Sequence, residues 1–84
     1  MAQTHQIDIT GFAYPNTAIA AGDTVRWTNK MGMNHTVTSD SNPPLFDSGN
    51  LAPNQSFSHT FGTAGSFPYH CNIHRQMRGT VSVG

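Results

Sequence analysis

The run from Cys71 to Met77 constrains this chain more than any other stretch. Its spacing is Cys71-x-x-His74-x-x-Met77, and strand-like residues frame it, Ser66 to His70 before and Thr80 to Val83 after. A thiolate, an imidazole and a thioether thus share one tight loop between two strands. Thiolate and thioether select soft metals and imidazole suits copper; a trigonal His₂Cys set with a weak axial Met is the donor set of a blue-copper site. The loop supplies one histidine, so the fold must bring another from a distance. His35, in Met31-Gly32-Met33-Asn34-His35-Thr36-Val37, is the best candidate.

The rest of the chain reads as the strands that such a clasp needs. Period-two alternation recurs, and no helical stripe competes with it. His5, Ile7 and Ile9 share one strand face. Gly11 to Asn16 is a turn region with Phe12 and Tyr14 as core aromatics. Thr17 to Ala20 is a short strand, joined by a hairpin turn at Ala21-Gly22-Asp23 to a strand whose Val25 and Trp27 point inward. His35 and Val37 point inward from a strand over residues 34–38. The Ser, Asn, Pro and Gly content of residues 40–53 marks a long loop. Phe57, His59 and Phe61 share a face, as do Phe67, Tyr69 and Cys71, which aims the thiol inward. About seven short strands separated by turns predict an all-β Greek-key sandwich, read as a single domain over residues 1–84.

Composition narrows the function classes. The chain has 84 residues, with four acidic and four basic side chains, no Glu, and a net charge of zero with His neutral. No basic stripe is present for a nucleic acid. No apolar run approaches the 18 residues of a membrane span. A domain this small buries only about 60–65% of its unfolded surface. The one cysteine excludes an internal disulfide, which leaves a bound metal as the remaining staple.

His35 with Cys71-x-x-His74-x-x-Met77 resembles the cupredoxin family, and within it the amicyanin- and plastocyanin-like members. Tyr69-His70-Cys71, Met77-Arg78-Gly79, Ala21-Gly22-Asp23-Thr24-Val25-Arg26-Trp27-Thr28-Asn29 and Phe46-Asp47-Ser48-Gly49 extend the resemblance, which runs from about Phe12 to Val83. It implies a cupredoxin-like sandwich with one type 1 copper ion held by His35, Cys71, His74 and Met77. The implied function is one-electron transfer by a small Cu(II)/Cu(I) protein that is not an enzyme. The alternatives are a copper carrier or chaperone, or a copper domain cut from a larger redox enzyme. The electron would pass at the edge of a surface-exposed His74, set in an apolar patch with Ile73, Met33, Pro43 and Pro44. His35 would lie deeper.

The resemblance further implies a monomer with redox-protein partners that dock weakly near His74. Lys30, Arg75 and Arg78 gather at the copper end, with Asp23 and Asp40 placed away from it, which favours an acidic partner. The expected location is periplasmic or otherwise extracytoplasmic, with a signal peptide removed before Met1-Ala2-Gln3. His5, His59 and His70 read as structural. Two departures from the family pattern matter. Thr36 stands where Asn is common, and Ile73 stands where amicyanin and plastocyanin have Pro. Ile73 keeps an N–H, so it is expected to join the N–H of Thr36 as a second donor to the Cys71 sulfur.

Overall fold

The computed structural model describes residues 2–84. Seven strands follow one another: β1 (Thr4–Ile9), β2 (Thr17–Ile19), β3 (Thr24–Asn29), β4 (Thr38–Ser39), β5 (Ser56–Thr60), β6 (Gly65–His70) and β7 (Arg78–Val83). They make a two-sheet sandwich, one sheet ordered β1-β3-β5 and the other β2-β7-β6-β4. β1 runs parallel to β3 and β2 parallel to β7, and the other pairs are antiparallel. Every connection crosses between the sheets except the last. Among the described residues the β6–β7 pair is therefore the one hairpin between successive strands, closing at His70↔Arg78, and its connecting loop is Cys71 to Met77.

The alternation seen in the sequence becomes the buried layer. Val25 and Trp27 on β3, Val81 on β7 and Tyr69 on β6 are fully buried, with Ile7, Ile9 and Phe46 against them. Trp27 packs against both Phe46 and Phe57, which also pack on each other, and its Nε1–H donates to the Tyr69 hydroxyl at 3.1 Å. That bond meets the one polar need of a buried indole. Tyr14 packs on Tyr69 and donates its hydroxyl to the Thr36 carbonyl at 2.6 Å.

Three local readings are corrected. The Ala21-Gly22-Asp23 turn is tight, with Gly22 at φ 95°, but it carries the chain from one sheet to the other rather than closing a hairpin. Ala21 N–H goes to the Gly84 carbonyl and Gly22 N–H to the Phe61 carbonyl. Turn residues say that a chain reverses; these long-range partners decide which sheet receives it. The strand expected over residues 34–38 is reduced to β4, with an isolated bridge at His35↔Leu51. Its N–H groups are spent elsewhere: Thr36 on the Cys71 sulfur and Val37 on Ser48 Oγ. Finally, Phe12 is not a core residue. It is 46% exposed, whereas Tyr14 is buried as expected.

Candidate metal centre

Both arms of the site are fixed by ordinary hydrogen bonding. On one arm, fully buried Asn29 ends β3. Its amide donates to the carbonyls of Met33 and Leu51, and its Oδ1 accepts the Met31 N–H, which shapes the loop before His35. His35 itself exchanges two main-chain bonds with Leu51, at 3.1 and 2.8 Å. On the other arm, the loop leaving β6 is closed by Cys71 N–H to the Met77 carbonyl (3.1 Å) and by Met77 N–H to the His74 carbonyl (2.9 Å). The two arms meet at Thr36, whose hydroxyl accepts the Asn72 N–H at 2.8 Å. Here a threonine hydroxyl clasps the ligand loop at the position where the family often has Asn.

The clasp brings His35, Cys71 and His74 together, with one donor atom from each lying within 4.8 Å of the others. Cys71 Sγ is 3.9 Å from His35 Nδ1. His35, Cys71 and Met77 are fully buried, and His74 is partly exposed. Burial, and secondarily the nearby His74, holds His35 below the ordinary histidine pKa. Its ring therefore stays neutral, the form that binds a metal. Two main-chain donors point at the sulfur, Thr36 N–H and His74 N–H, each at 3.4 Å.

Cys71, His74 and Met77 thus share the loop, and His35 reaches it from the opposite arm. The second sulfur donor is a correction: it is the N–H of His74, not of Ile73. The other three histidines lie elsewhere. His5 pairs with Asp23, His59 packs against both Phe46 and Phe61, and His70 pairs with Asp40 and Asn72. Met31 packs against the core, and Met33 is exposed in the loop before His35.

The surface around the site differs from expectation in three ways. Pro43 and Pro44 sit at the tip of a hairpin-like excursion. There Asp40 N–H bonds the Pro68 carbonyl and Ser39 N–H the Phe46 carbonyl, so the tip extends along β6 away from the ligand loop. Asp40 is not remote from the site either. It pairs with His70 and approaches Arg78 to 3.7 Å at the end of β6–β7, which leaves Lys30 and Arg75 as the nearby exposed cations with no ion pair among the described residues. Third, Phe12 lies edge-on to both site imidazoles, with centroids 6.0 Å from His35 and 5.2 Å from His74. Nothing in its local sequence marked it, because a turn aromatic after Gly11 reads equally well as core.

The donor set fits a copper ion. His74 Nδ1 is buried and has no hydrogen-bond partner among the described residues. A buried polar atom left unpaired costs about 1–3 kcal/mol, and a metal held there together with the Cys71 thiolate would remove that cost. One soft sulfur and two imidazoles, with a thioether on the same loop, match copper better than a hard cation.

Comparison with known proteins agrees. Residues 2–84 match the model of the copper-binding proteins of the plastocyanin/azurin family. The chain belongs to that family. It is 34% identical over 82 residues to amicyanin of Paracoccus denitrificans, covering 92% of this chain and 63% of that one. It is also 34% identical over 83 residues to plastocyanin of Scenedesmus fuscus, covering 86% and 85%. Solved structures of amicyanin variants superpose closely. One in the reduced state gives a TM-score of 0.88 at 33% identity, and one in the Cu(I) form 0.89 at 31%; each comparison covers 96% of this chain and 82% of the other. The chain therefore spans under two-thirds of the Paracoccus amicyanin and most of the plastocyanin. Family membership brings copper as cofactor and the cupredoxin sandwich as fold.

Proposed function

We propose that this chain is one blue-copper domain that transfers single electrons, with His35, Cys71, His74 and Met77 as ligands. The observation that carries the reading is the convergence of the Cys71 sulfur with the His35 and His74 rings inside a buried clasp. Bound copper supplies a one-electron Cu(II)/Cu(I) couple. The protein's part is to hold the donors still and dry. Thr36 and His74 N–H groups draw density from the sulfur, and hydrogen bonds to a charged group are worth roughly 1.5–3 kcal/mol each. Met77, fully buried on the ligand loop, would supply the copper with its fourth and weakest donor, a thioether. Four protein ligands leave no coordination position for a substrate, which supports an electron carrier over an enzyme.

Partly exposed His74 is the exit for the electron. Ile73 and Met33, 48% and 43% exposed, supply apolar surface at that end for a redox-protein partner. Weak, small contacts suit redox encounters. Lys30 and Arg75 favour an acidic partner, and the domain would act as a monomer outside the cytoplasm. Among the described residues no helix is long and apolar enough to cross a membrane. A copper-carrier role has less support, because Met31 is packed against the core rather than free to pass on a metal.

The test is optical. Adding Cu(II) to the metal-free protein should produce an intense visible thiolate-to-copper band, and Cys71→Ser should abolish it. A serine variant that keeps the band would end the proposal.

A further inference from the structure

A metal-bound histidine is ordinarily oriented by a hydrogen bond from its other ring nitrogen to a carbonyl, carboxylate or water. Neither imidazole has such a protein partner here. His35 Nε2 is buried with no hydrogen-bond partner among the described residues, and its Nδ1 faces only the sulfur, at 3.9 Å. His74 Nδ1, the nitrogen left for the metal, is buried and unpaired; no described residue hydrogen-bonds the other ring nitrogen, and only the main-chain groups of His74 are bonded. Among the described residues, packing is what is left to set the tilt of both rings.

An aromatic side chain packs against both. Phe12 meets His35 at an interplanar angle of 72° and His74 at 64°, both edge-to-face, while the two imidazoles lie 5.1 Å apart at 49°. Edge-to-face aromatic pairs at such separations have a preferred geometry, so each contact resists rotation of the partner ring. Phe12 is itself held in place. Two residues on, Tyr14 N–H bonds the Arg78 carbonyl at 3.3 Å and its hydroxyl bonds the Thr36 carbonyl at 2.6 Å. The turn carrying Phe12 is thereby bolted to both arms of the clasp.

We propose that Phe12 is a positioning residue for the copper centre, fixing the orientation of the His35 and His74 rings where hydrogen bonds would otherwise do so. The proposal rests on the ligand reading above. It predicts that the aromatic ring, not merely apolar cover, is what matters.

The experiment compares Phe12→Tyr, Phe12→Leu and Phe12→Ala in the whole protein. Three quantities are read: Cu(II) affinity by chelator competition, the relative intensities of the copper–thiolate bands, and the thermal midpoint of the metal-free form. Loss of an orienting partner costs about 10–100-fold in metal affinity. The leucine and alanine variants should lose about 10-fold, the low end of that range, with altered band intensities. The tyrosine variant should match the wild type, and the metal-free midpoints of tyrosine and leucine should stay unchanged. Wild-type affinity and bands in Phe12→Leu would overturn the proposal. So would an affinity loss accompanied by an equal loss of metal-free stability, since that is a folding effect. If alanine fails to fold, leucine still decides. Absence of the thiolate band in the wild type would instead sink the ligand reading itself.

Discussion

Gly79→Ala tests how tightly the ligand loop is seated on the core. Gly79 pairs with Tyr69 on the hairpin that carries the loop, two residues after Met77. It has no positive φ that would demand glycine, so any cost is steric. A Cβ at this position would lie 2.5 Å from Tyr14 Cβ and 3.0 Å from both Cζ and the hydroxyl of Tyr69. Neither neighbour can yield easily. The Tyr14 contact is at its Cβ, hard against the backbone, and Tyr69 is fully buried with its hydroxyl taken by Trp27. Overpacking of this kind costs about 1–3 kcal/mol. In a domain of this size each kcal/mol moves the midpoint by roughly 4–8 °C. Thermal unfolding of the metal-free variant should therefore show a fall of about 4–24 °C by that product. With copper bound, its visible band should also shift, because Tyr14 anchors Thr36 and Thr36 donates to the sulfur. A midpoint equal to the wild type would refute the steric argument.

Two further outcomes follow from charge. Asp23 is held below the ordinary carboxylate pKa by its hydrogen bond to His5 and then by the Gln3 N–H, with a smaller lowering contribution from Ala20 N–H. A depressed folded pKa adds stability above the unfolded value and loses it as pH falls through the folded one. Denaturation of the metal-free protein should thus show stability dropping below about pH 4, the free carboxylate range, with a shallower drop in Asp23→Asn; equal slopes would count against it. Electron transfer to a negatively charged reactant should slow as ionic strength rises. Arg75→Gln should flatten that dependence more than Arg78→Gln, because Arg78 is already compensated by Asp40; the reverse order would remove Arg75 from the docking face.

The alternation of apolar residues made the strands legible, because a half-buried sheet imposes period two on each of them: Val25 and Trp27, Tyr69 and Cys71, Val81 and Val83 all point as their spacing says. What alternation does not encode is which sheet a strand joins. That depends on long-range bonds such as Gly22 to Phe61, so the residues of the turn at 21–23 suggest a hairpin where the chain in fact changes sheet. The site was legible in its donors, because thiolate, imidazole and thioether are rare enough together to be chemically specific. Its surroundings were less so. Asp40 comes within ion-pair distance of Arg78 only because β4 lies beside β6, and Phe12 reaches two imidazoles only because Tyr14 ties its turn to Thr36 and Arg78. Both depend on tertiary placement that no local pattern records.

The sulfur shows how spacing carries more than donor identity. A short side-chain acceptor at position i readily captures the main-chain N–H two or three residues on, as Ser, Thr, Asn and Asp do at helix starts and turns. The Cys71 sulfur takes the second option. Its partner is His74 N–H, so Cys-x-x-His places on one residue both an imidazole for the metal and a main-chain donor for the thiolate. Ile73 N–H meets no protein acceptor among the described residues, and the Ile73 side chain is exposed. Replacing it with Pro then removes a donor the site does not use, and Pro is tolerated where its missing N–H had no partner. Pro also biases the preceding residue toward extended backbone, so the loop conformation at Asn72 must be checked, which the Asn72 to Thr36 bond reports. Ile73→Pro should therefore keep the visible band and leave the reduction potential unchanged, with the Asn72 amide still protected from hydrogen exchange. A fall in potential with that amide still protected would mean that Ile73, not His74, supplies the second hydrogen bond to sulfur.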